Sequence, residues 1–373
     1  MLSRPQSTLS VSGRVDRLRA ALVDAARPVQ VIVSGASNRR WLTGFTGSAG
    51  LVVVTPERFV LVTDGRYGEQ ARAQADAAGA GDLEVLVGTT MAEQKALVLG
   101  LLSGDTGAEA TVMSRADWMG FASSVELIPI DGTVERLRRT KDAAEIELIA
   151  YAADIASQAL GELASMLVPG VTERDVRDEL EYRMRRLGAD GPSYETIVAS
   201  GPTHAALPHA RPTGRQMVDG DLVVIDVGAL VDGYHSDMTR TYVVGESSDE
   251  QQQWFELVTA SQAAGLAAIR SGVTARDVDA ACRSVFDDAG LGELFVHGTG
   301  HGVGLDIHEE PFLGRASDAE LVLGDVVTVE PGLYRVGSGG VRIEDLVEVT
   351  SSGHRNLTAL SKDSPCPPSP PTT

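Results

Sequence analysis

The sequence has few cysteines, few basic residues and no long apolar stretch, and each scarcity excludes a class of protein. Its 373 residues include only two cysteines, Cys282 and Cys366, which is too few for a disulfide framework. This fits a reducing compartment, or a protein that is indifferent to redox conditions. No apolar run approaches the ~20 residues of a membrane span. The N-terminal segment lacks the apolar core of about 7–15 residues that marks a secretory signal. We therefore expect a cytoplasmic protein with no membrane segment.

The shortage of basic residues also argues against one class of partner. Lys and Arg total 32 against 52 Asp and Glu, so the formal net charge is −20. Nucleic-acid binding requires cationic side chains that neutralise phosphates, and the sequence contains no basic run. An acidic chain can instead use its carboxylates to bind cations. We expect no nucleic-acid partner.

Two stretches of the chain carry different patterns of apolar residues, and the length suffices for two domains of about 150 residues each. In the first stretch, strand patterns alternate with Ala- and Leu-rich helical patterns, which is typical of an α/β domain with a mixed sheet. The second stretch contains longer helical patterns, the first of which starts at a capping box of Asp142 and Glu145. The sequence predicts an N-terminal α/β domain at 1–135, a second domain at 136–361 and a disordered proline-rich tail at 362–373.

The periodicity of apolar residues predicts the individual elements. In the first domain we predict helices at 13–27, 66–79 and 91–102, strands at 29–35, 51–64 and within 110–130, and a loop at 38–50. In the second domain we predict helices at 142–167, 173–187, 249–271 and 275–290, and strands at 194–200, 221–230, 234–244, 295–299, 325–331 and 341–350.

The second domain contains an internal repeat, in which two blocks of sequence recur in the same order. The heptapeptide that starts at Gly170 matches the one that starts at Gly272 at six of seven positions, and the segment 220–223 resembles 324–327. Helix-sized and strand-sized blocks that recur together predict a duplicated helix–helix–strand–strand unit with a pseudo-two-fold axis.

Each repeat has a carboxylate within an apolar strand pattern. In the first repeat this residue is Asp226, and burial of an unpaired carboxylate is costly unless a cation or hydrogen-bond donors accompany it. Asp237 follows the turn sequence 231–233, so a hairpin would place the two acids opposite or diagonal to each other on one face. The pseudo-two-fold axis would also bring Asp226 toward Glu330, its counterpart in the second repeat.

The second repeat has a matching pair of acids on a second predicted hairpin. Glu330 ends an apolar strand pattern, and Glu344 follows the glycine-rich turn at 337–340. Between the two pairs of acids lies a glycine-rich segment that contains His301. Its glycines allow the backbone to approach a site closely.

Four carboxylates and one imidazole form an oxygen-rich ligand set. Such a set suits Mn²⁺, Co²⁺, Fe²⁺ or Zn²⁺, and four carboxylates offset the charge of two divalent ions about 3.5–4 Å apart. Each acid alone has a structural alternative, such as an ion pair of Glu330 or Glu344 with Arg335 or Arg342. The joint pattern and the repeat favour a dinuclear metal site for hydrolysis.

With these motifs the sequence resembles the pita-bread metallopeptidases, a family that includes aminopeptidase P, prolidase, methionine aminopeptidase and creatinase. The resemblance extends over nearly the whole chain apart from the tail, and includes NRRWLTGFTGSAG (38–50) and LVTDGRY (61–67). It implies an α+β protein in which a C-terminal pita-bread (creatinase/aminopeptidase) fold with a pseudo-two-fold duplication follows a smaller creatinase-like α/β domain. It also implies a homodimer in which the N-terminal domain takes part.

The resemblance implies specific roles for the residues that match the family's motifs. Two divalent metal ions, Mn²⁺ or alternatively Co²⁺ or Zn²⁺, would be bound by Asp226, Asp237, His301, Glu330 and Glu344. Asp237 and Glu344 would bridge the ions, and Glu330 would also be the general base, within hydrogen-bond reach of the attacking water. His209 and His308 would line the site, stabilise the tetrahedral intermediate and help to transfer protons.

The resemblance also bears on the substrate. In proline-specific members a histidine, a tyrosine and an arginine surround the residue after the scissile bond, and they correspond here to His297, Tyr334 and Arg342. Their presence favours cleavage of Xaa-Pro bonds in short proline-containing peptides over methionine removal or creatine hydrolysis. We therefore predict an aminopeptidase P-like enzyme, with an Xaa-Pro dipeptidase (prolidase) as the alternative. A non-catalytic peptide-binding homologue is a more remote alternative, because such proteins lack the ligand set.

Overall fold

A computed structural model describes residues 4–5 and 9–365. The contacts within it divide the chain into two compact units that meet in sequence between Arg138 and Arg139, and residues 4–5 belong to the second unit. Within the described residues, no helix combines the length and the hydropathy that a membrane-spanning segment requires.

The predicted disordered tail lies partly outside the described residues, from 366 onward. Its first residues contact the second unit. The Lys362 ammonium donates a hydrogen bond to Gln262 Oε1 (2.6 Å), and the Val243 N–H donates to Pro365 O (2.8 Å).

A mixed sheet of six strands forms the centre of the first unit. These strands are β1 Val31–Val33, β2 Leu51–Val54, β3 Phe59–Thr63, β4 Glu84–Val87, β5 Thr106–Ala108 and β6 Leu127–Pro129. Their order is β4-β3-β2-β1-β5-β6, with antiparallel pairing among β1, β2 and β3 and parallel pairing elsewhere. The helices are α1 Arg14–Asp24, α2 Ala36–Thr43, α3 Gly68–Ala78, α4 Met91–Leu99, α5 Arg115–Ala122 and α6 Thr133–Arg139. Apolar residues of β1, β2 and β3 pack with α4 and α5 in one core.

Three helices of this unit, α2, α5 and α6, were not predicted from the sequence. Helix α2 occupies the start of the predicted loop at 38–50, where Asn38 and Arg39 are buried and hydrogen-bonded. Polar residues buried in this way remove the apolar period by which a helix is recognised. Helix α5 lies within 110–130, where only strands were predicted. Strand β6 does lie in this range, as predicted, whereas β5 ends before the range begins.

The second unit contains five α-helices and thirteen strands among its described residues. The helices are α7 Ala143–Leu163, α8 Glu173–Leu187, α9 Gly201–His204, α10 Asp249–Ala268 and α11 Ala275–Asp288, with 3₁₀ turns at Ala164–Met166 and Gly292–Leu294. The strands are β7 Gly191–Pro192, β8 Ile197–Ser200, β9 Leu222–Asp226, β10 Ala229–Val231, β11 Tyr234–His235, β12 Thr239–Val243, β13 Gly300–Gly302, β14 Glu309–Leu313, β15 Val326–Val329, β16 Gly332–Arg335, β17 Gly339–Arg342, β18 Asp345–Val349 and β19 His354–Asn356. They form the sheets β11-β10-β7, β12-β9-β8, β14-β13-β15-β18-β19 and β16-β17.

The predicted duplication is visible in matching local structure. Thr172 caps α8 and Thr274 caps α11, each by accepting a hydrogen bond from the third residue of its helix. The same two threonines form isolated antiparallel bridges, with Gln216 in the first repeat and Glu320 in the second. The two helices thus begin in equivalent surroundings.

A buried aspartate precedes the central strand of each repeat. Asp221 precedes β9 and pairs with Arg215 (2.6 Å), and Asp325 precedes β15 and pairs with Arg139 (2.6 Å). Each central strand therefore starts beside a buried aspartate that is paired with an arginine, although Arg215 belongs to the first repeat and Arg139 precedes both repeats.

The segment predicted as a strand at 295–299 is irregular, and strand β13 begins at Gly300. The carbonyls of Phe295 and His297 accept hydrogen bonds from the Arg283 side chain rather than from a neighbouring strand. At Gly300 the backbone comes so close to β15 that a Cβ atom would lie 2.1 Å from Thr328 O, so only glycine fits.

Candidate active site

An open cleft of about 1040 Å³ in the second unit is lined by most of the predicted site residues. Its lining includes Asp226, Asp237, His301, Glu330, Glu344, His209, His308, His297 and Arg342. Tyr334 is not part of the lining, but its hydroxyl contacts two residues that are, His297 and Arg342. The structure thus brings together all the residues that the sequence singled out.

The first pair of acids lies diagonally across the ladder between β9 and β12. Asp226 is the last residue of β9 and pairs with Thr239, and Asp237 lies two residues before Thr239. The Tyr194 hydroxyl contacts one carboxylate oxygen of each acid. Tyr194 therefore links the two carboxylates of the first repeat.

The second pair of acids lies directly opposite each other. Val329 pairs with Asp345 at the end of the β15–β18 ladder, and Gly332 pairs with Arg342 at the start of the β16–β17 ladder. The same register, continued between the two ladders, places Glu330 opposite Glu344. Glu344 Oε2 accepts a hydrogen bond from Thr239 Oγ1 (2.8 Å), so a residue of the first hairpin holds an acid of the second. The Glu330 N–H donates to Thr299 O (2.7 Å).

His301 directs one ring nitrogen toward these acids. Its Nδ1 lies 3.1 Å from Gly302 O, which fits a protonated Nδ1 that donates to this carbonyl. Its Nε2 lies 3.5 Å from Asp237 Oδ2 and 3.6 Å from Glu330 Oε1. Burial lowers the pKa of His301 to about 4, so the imidazole is neutral at pH 7 and its Nε2 can act as a ligand.

The acids themselves are under strong mutual repulsion. Burial raises the pKa of Asp237 and of Glu344 well above the usual range, and the neighbouring carboxylates raise both further. Burial also raises the pKa of Glu330 to about 7, although Arg342 opposes the increase. Carboxylates held together away from water must share a proton or bind a cation.

The donor set fits a divalent metal ion. Asp237, His301 and Glu344 each present a ligand atom, and these atoms all lie within 4.8 Å of one another. Carboxylate oxygens and a neutral imidazole nitrogen are ligands that Mn²⁺, Co²⁺ and Zn²⁺ accept. Bound cations would relieve the repulsion among the buried acids.

Arg342 connects the acids to the predicted proline pocket. Its guanidinium is buried and donates to Asp226 Oδ2 (2.7 Å), to Thr239 Oγ1 (3.0 Å) and to the Tyr334 hydroxyl (2.8 Å). Its nearest approach to Glu330 is 4.0 Å. The main ion pair of Arg342 is therefore with Asp226, not with Glu330. Arg335, the other arginine considered as a partner of these acids, instead pairs with Glu250 outside the acid cluster.

A chain of hydrogen bonds continues from Arg342 to His297. The Tyr334 hydroxyl accepts from Arg342 and lies 3.0 Å from His297 Nε2, and His297 Nδ1 lies 2.8 Å from Gly298 O. Burial lowers the pKa of His297 to about 3, so its ring is neutral at pH 7. In a neutral ring with Nδ1 protonated, Nε2 can accept a hydrogen bond from the Tyr334 hydroxyl. The three predicted pocket residues thus form one connected unit.

The two further histidines differ in their surroundings. The His308 ring packs edge-on against the His301 ring, with centroids 4.3 Å apart, and burial lowers its pKa. His209 lines the cleft with a side chain that is exposed to solvent. Both rings can therefore reach a ligand in the cleft.

Sequence reasoning missed several residues that shape this site. Tyr194 lies in the connection before β8, and nothing in its sequence context indicates that it contacts two acids. Thr239, two residues after Asp237, could have been found from the alternation of side chains along a strand, because it faces the same side. Arg283, on α11, also lines the cleft.

Comparison with known proteins agrees with this geometry. Residues 14–140 match the creatinase/prolidase N-terminal domain, and residues 147–351 match metallopeptidase family M24. The uncharacterized peptidase YqhT of Bacillus subtilis is 39% identical over 336 residues, which cover 89% of this chain and 94% of that protein. The Xaa-Pro dipeptidase of Pyrococcus furiosus is 40% identical over 238 residues, 64% of this chain and 68% of that protein.

A solved structure extends the likeness to the whole fold. The Xaa-Pro dipeptidase from Bacillus anthracis has a TM-score of 0.90 and 38% identity, and the match covers 95% of this chain and 99% of that one. The predicted α+β architecture, with a pita-bread domain after a creatinase-like domain, is confirmed, and so is the predicted metallopeptidase class. The chain belongs to metallopeptidase family M24.

Proposed function

We propose that the protein is an Xaa-Pro dipeptidase that uses two divalent metal ions, Mn²⁺ or alternatively Co²⁺ or Zn²⁺. The proposal rests on one observation, that two groups of residues lie side by side at one cleft. The four acids with His301 form the hydrolytic group, and the connected His297, Tyr334 and Arg342 adjoin it through Asp226. The relatives named as Xaa-Pro dipeptidases support the same substrate.

The dipeptide, rather than a longer peptide, is favoured by a cationic side chain in the cleft. A dipeptide ends in a carboxylate directly after its proline, and a guanidinium suits a carboxylate. Arg315 lines the cleft, and no residue within 4–5 or 9–365 forms an ion pair or hydrogen bond with its guanidinium. Arg315 can therefore bind the substrate carboxylate, and the aminopeptidase P-like activity becomes the second candidate.

The metal ligands would be Asp226, Asp237, His301, Glu330 and Glu344. When bound there, two divalent cations would polarise the scissile carbonyl and lower the pKa of water. A carboxylate oxygen of Glu330 would take the proton from the attacking water and pass it to the leaving proline nitrogen. A ring N–H of His308 would donate a hydrogen bond to the carbonyl oxygen as negative charge develops.

The substrate's two ends would then be bound at different places. The free amine would lie near Asp226, and the proline ring near His297 and Tyr334. Tyr194, which contacts Asp226 and Asp237, would keep both carboxylates oriented.

Hydrolysis of Ala-Pro and Ala-Pro-Ala, measured side by side, tests the proposal. The protein is first treated with chelator and then given Mn²⁺, Co²⁺ or Zn²⁺. Cleavage of Ala-Pro that is lost with chelator and restored by metal is expected, with little cleavage of Ala-Pro-Ala. Preference for the tripeptide would establish the aminopeptidase instead, and no cleavage of either would contradict both.

A further inference from the structure

An ion pair on helix α11 lies beside the predicted proline pocket. Arg283 follows Asp279 by one helical turn, and its Nε lies 2.6 Å from Asp279 Oδ2. The side chains are 11% and 1% exposed, so the pair is largely shielded from water. The guanidinium also lies over the Phe295 ring, 4.1 Å from its centroid. The acid and the ring thus fix the orientation of the guanidinium from two sides.

The guanidinium holds the main chain on both sides of Val296. Arg283 Nη1 donates to Phe295 O (3.1 Å), and Nη2 donates to His297 O. This segment is irregular backbone between a 3₁₀ turn and β13, so no strand ladder fixes it. The Arg283 side chain therefore supplies two of the hydrogen bonds that fix the backbone around His297.

The partner acid holds the next part of the same segment. Asp279 Oδ1 accepts a hydrogen bond from Thr299 Oγ1 (2.8 Å). Thr299 O in turn accepts from the Glu330 N–H (2.7 Å). The Asp279–Arg283 pair therefore holds the residues on both sides of Gly298. Arg283 bonds to the His297 carbonyl, and Asp279 bonds to the Thr299 side chain.

We propose that the Asp279–Arg283 pair is a positioning element that sets the His297 ring against Tyr334 and thereby strengthens the binding of the substrate's proline. The proposal rests on the proposed function, because it assumes that the His297 ring, which bonds to Tyr334, contacts the proline of the substrate. Neither Asp279 nor Arg283 takes part in the chemical step.

The shape of the guanidinium is central to this role. Its planar fork bonds the Asp279 carboxylate, two carbonyls and a ring face at once, which a lysine ammonium cannot do. Arg283→Lys keeps a cation beside the buried Asp279 and so avoids an unpaired charge. It removes at least one of the two bonds to the 295–297 backbone.

The test compares the steady-state kinetics of Arg283→Lys and wild type with Ala-Pro. Loss of a hydrogen bond from a charged group should raise KM about tenfold while kcat changes less. Metal content should stay at the wild-type value. The matched control is Arg276→Lys on the same helix, whose ion pair with Asp318 (2.7 Å) is exposed and is not in the cleft.

A double-mutant cycle with His297→Gln distinguishes positioning from a general structural role. If Arg283 acts through His297, Arg283→Lys should add little to the KM increase of His297→Gln. The proposal would be overturned if the KM increases of the two single variants multiplied in the double variant. A fall in kcat of Arg283→Lys with KM unchanged would overturn it as well. Asp279→Asn, which keeps the shape of the acid but weakens its pair with Arg283, should shift KM in the same direction, and it provides the test if Arg283→Lys does not fold.

The outcomes for the two proposals are distinguishable. If wild type cleaves no Xaa-Pro peptide, the proposed function fails. If wild type cleaves Ala-Pro and Arg283→Lys has the same KM, only the positioning role fails.

Discussion

The two repeats of the second unit begin alike and end differently. Thr172 and Thr274 cap equivalent helices, and Asp221 and Asp325 form equivalent ion pairs ahead of the central strands. Each central strand leads to an acid, but the partner acid lies diagonally across the ladder in the first repeat and directly opposite in the second. The comparison shows that duplication sets the positions of the strand ends, whereas the side chains placed there determine what each repeat contributes.

Each repeat also stabilises the acids of the other. Arg342 of the second repeat donates to Asp226 of the first, and Thr239 of the first donates to Glu344 of the second. Neither hairpin therefore forms a complete site alone. A substitution in one repeat should therefore also disturb the acids of the other repeat.

The largest effect is expected from neutralising the acid at the end of either central strand. Glu330→Gln removes a metal ligand and the proton acceptor, and should lower kcat for Ala-Pro about 100- to 10,000-fold. Asp226 is the corresponding acid of the first repeat, and Asp226→Asn should also abolish most turnover. The circular dichroism spectrum should stay unchanged, because the fold is retained. The control is Glu348→Gln, a second-repeat acid paired with Arg355 (2.8 Å) outside the cleft. More than a few per cent of activity in either site variant would contradict the assignment.

The acids could be predicted from sequence because a carboxylate in an apolar strand is conspicuous. Helix α8 could be predicted as well, since Thr172 caps it and apolar residues recur along one face of 173–187. Tyr194 could not, because its role depends on how a connection passes over the acids after folding. For the same reason α2 was missed, since Asn38 is buried by contacts with residues far away in sequence.

A smaller effect is expected from weakening the connection between the repeats. Arg342→Lys keeps the positive charge but cannot contact Asp226, Thr239 and Tyr334 together. Loss of charged hydrogen bonds should lower kcat/KM for Ala-Pro about 10- to 100-fold, with metal affinity also reduced. Arg215→Lys is the matched control, because Arg215 pairs with Asp221 within the first repeat and is not in the cleft lining. Equal losses in the two variants would indicate a general loss of stability rather than a loss of the cross-repeat contact.

The smallest effect concerns a position at which the two capped helices differ. Helix α8 begins with the buried acid Glu173, whereas α11 begins with the buried Ala275. Burial alone would raise the pKa of Glu173, but hydrogen bonds from His204, Thr213 and Ser200 outweigh it, so the pKa is lowered. The first repeat thus has a charged group at the start of its helix that the second repeat lacks. Protonation at this position should therefore lower the stability of the first repeat only.

A lowered pKa in the folded state means that ionised Glu173 stabilises the fold above the unfolded-state pKa of about 4.3. This contribution is lost as the pH falls through the lower, folded-state value. Glu173→Gln should therefore reduce the free energy of unfolding in urea at pH 7, and the difference from wild type should shrink below about pH 4. Glu179→Gln, on the same helix and paired with Arg183 near the surface, should change stability little at either pH. A difference for Glu173→Gln that stays constant with pH would mean that packing, and not the charge, distinguishes the two repeats at this position.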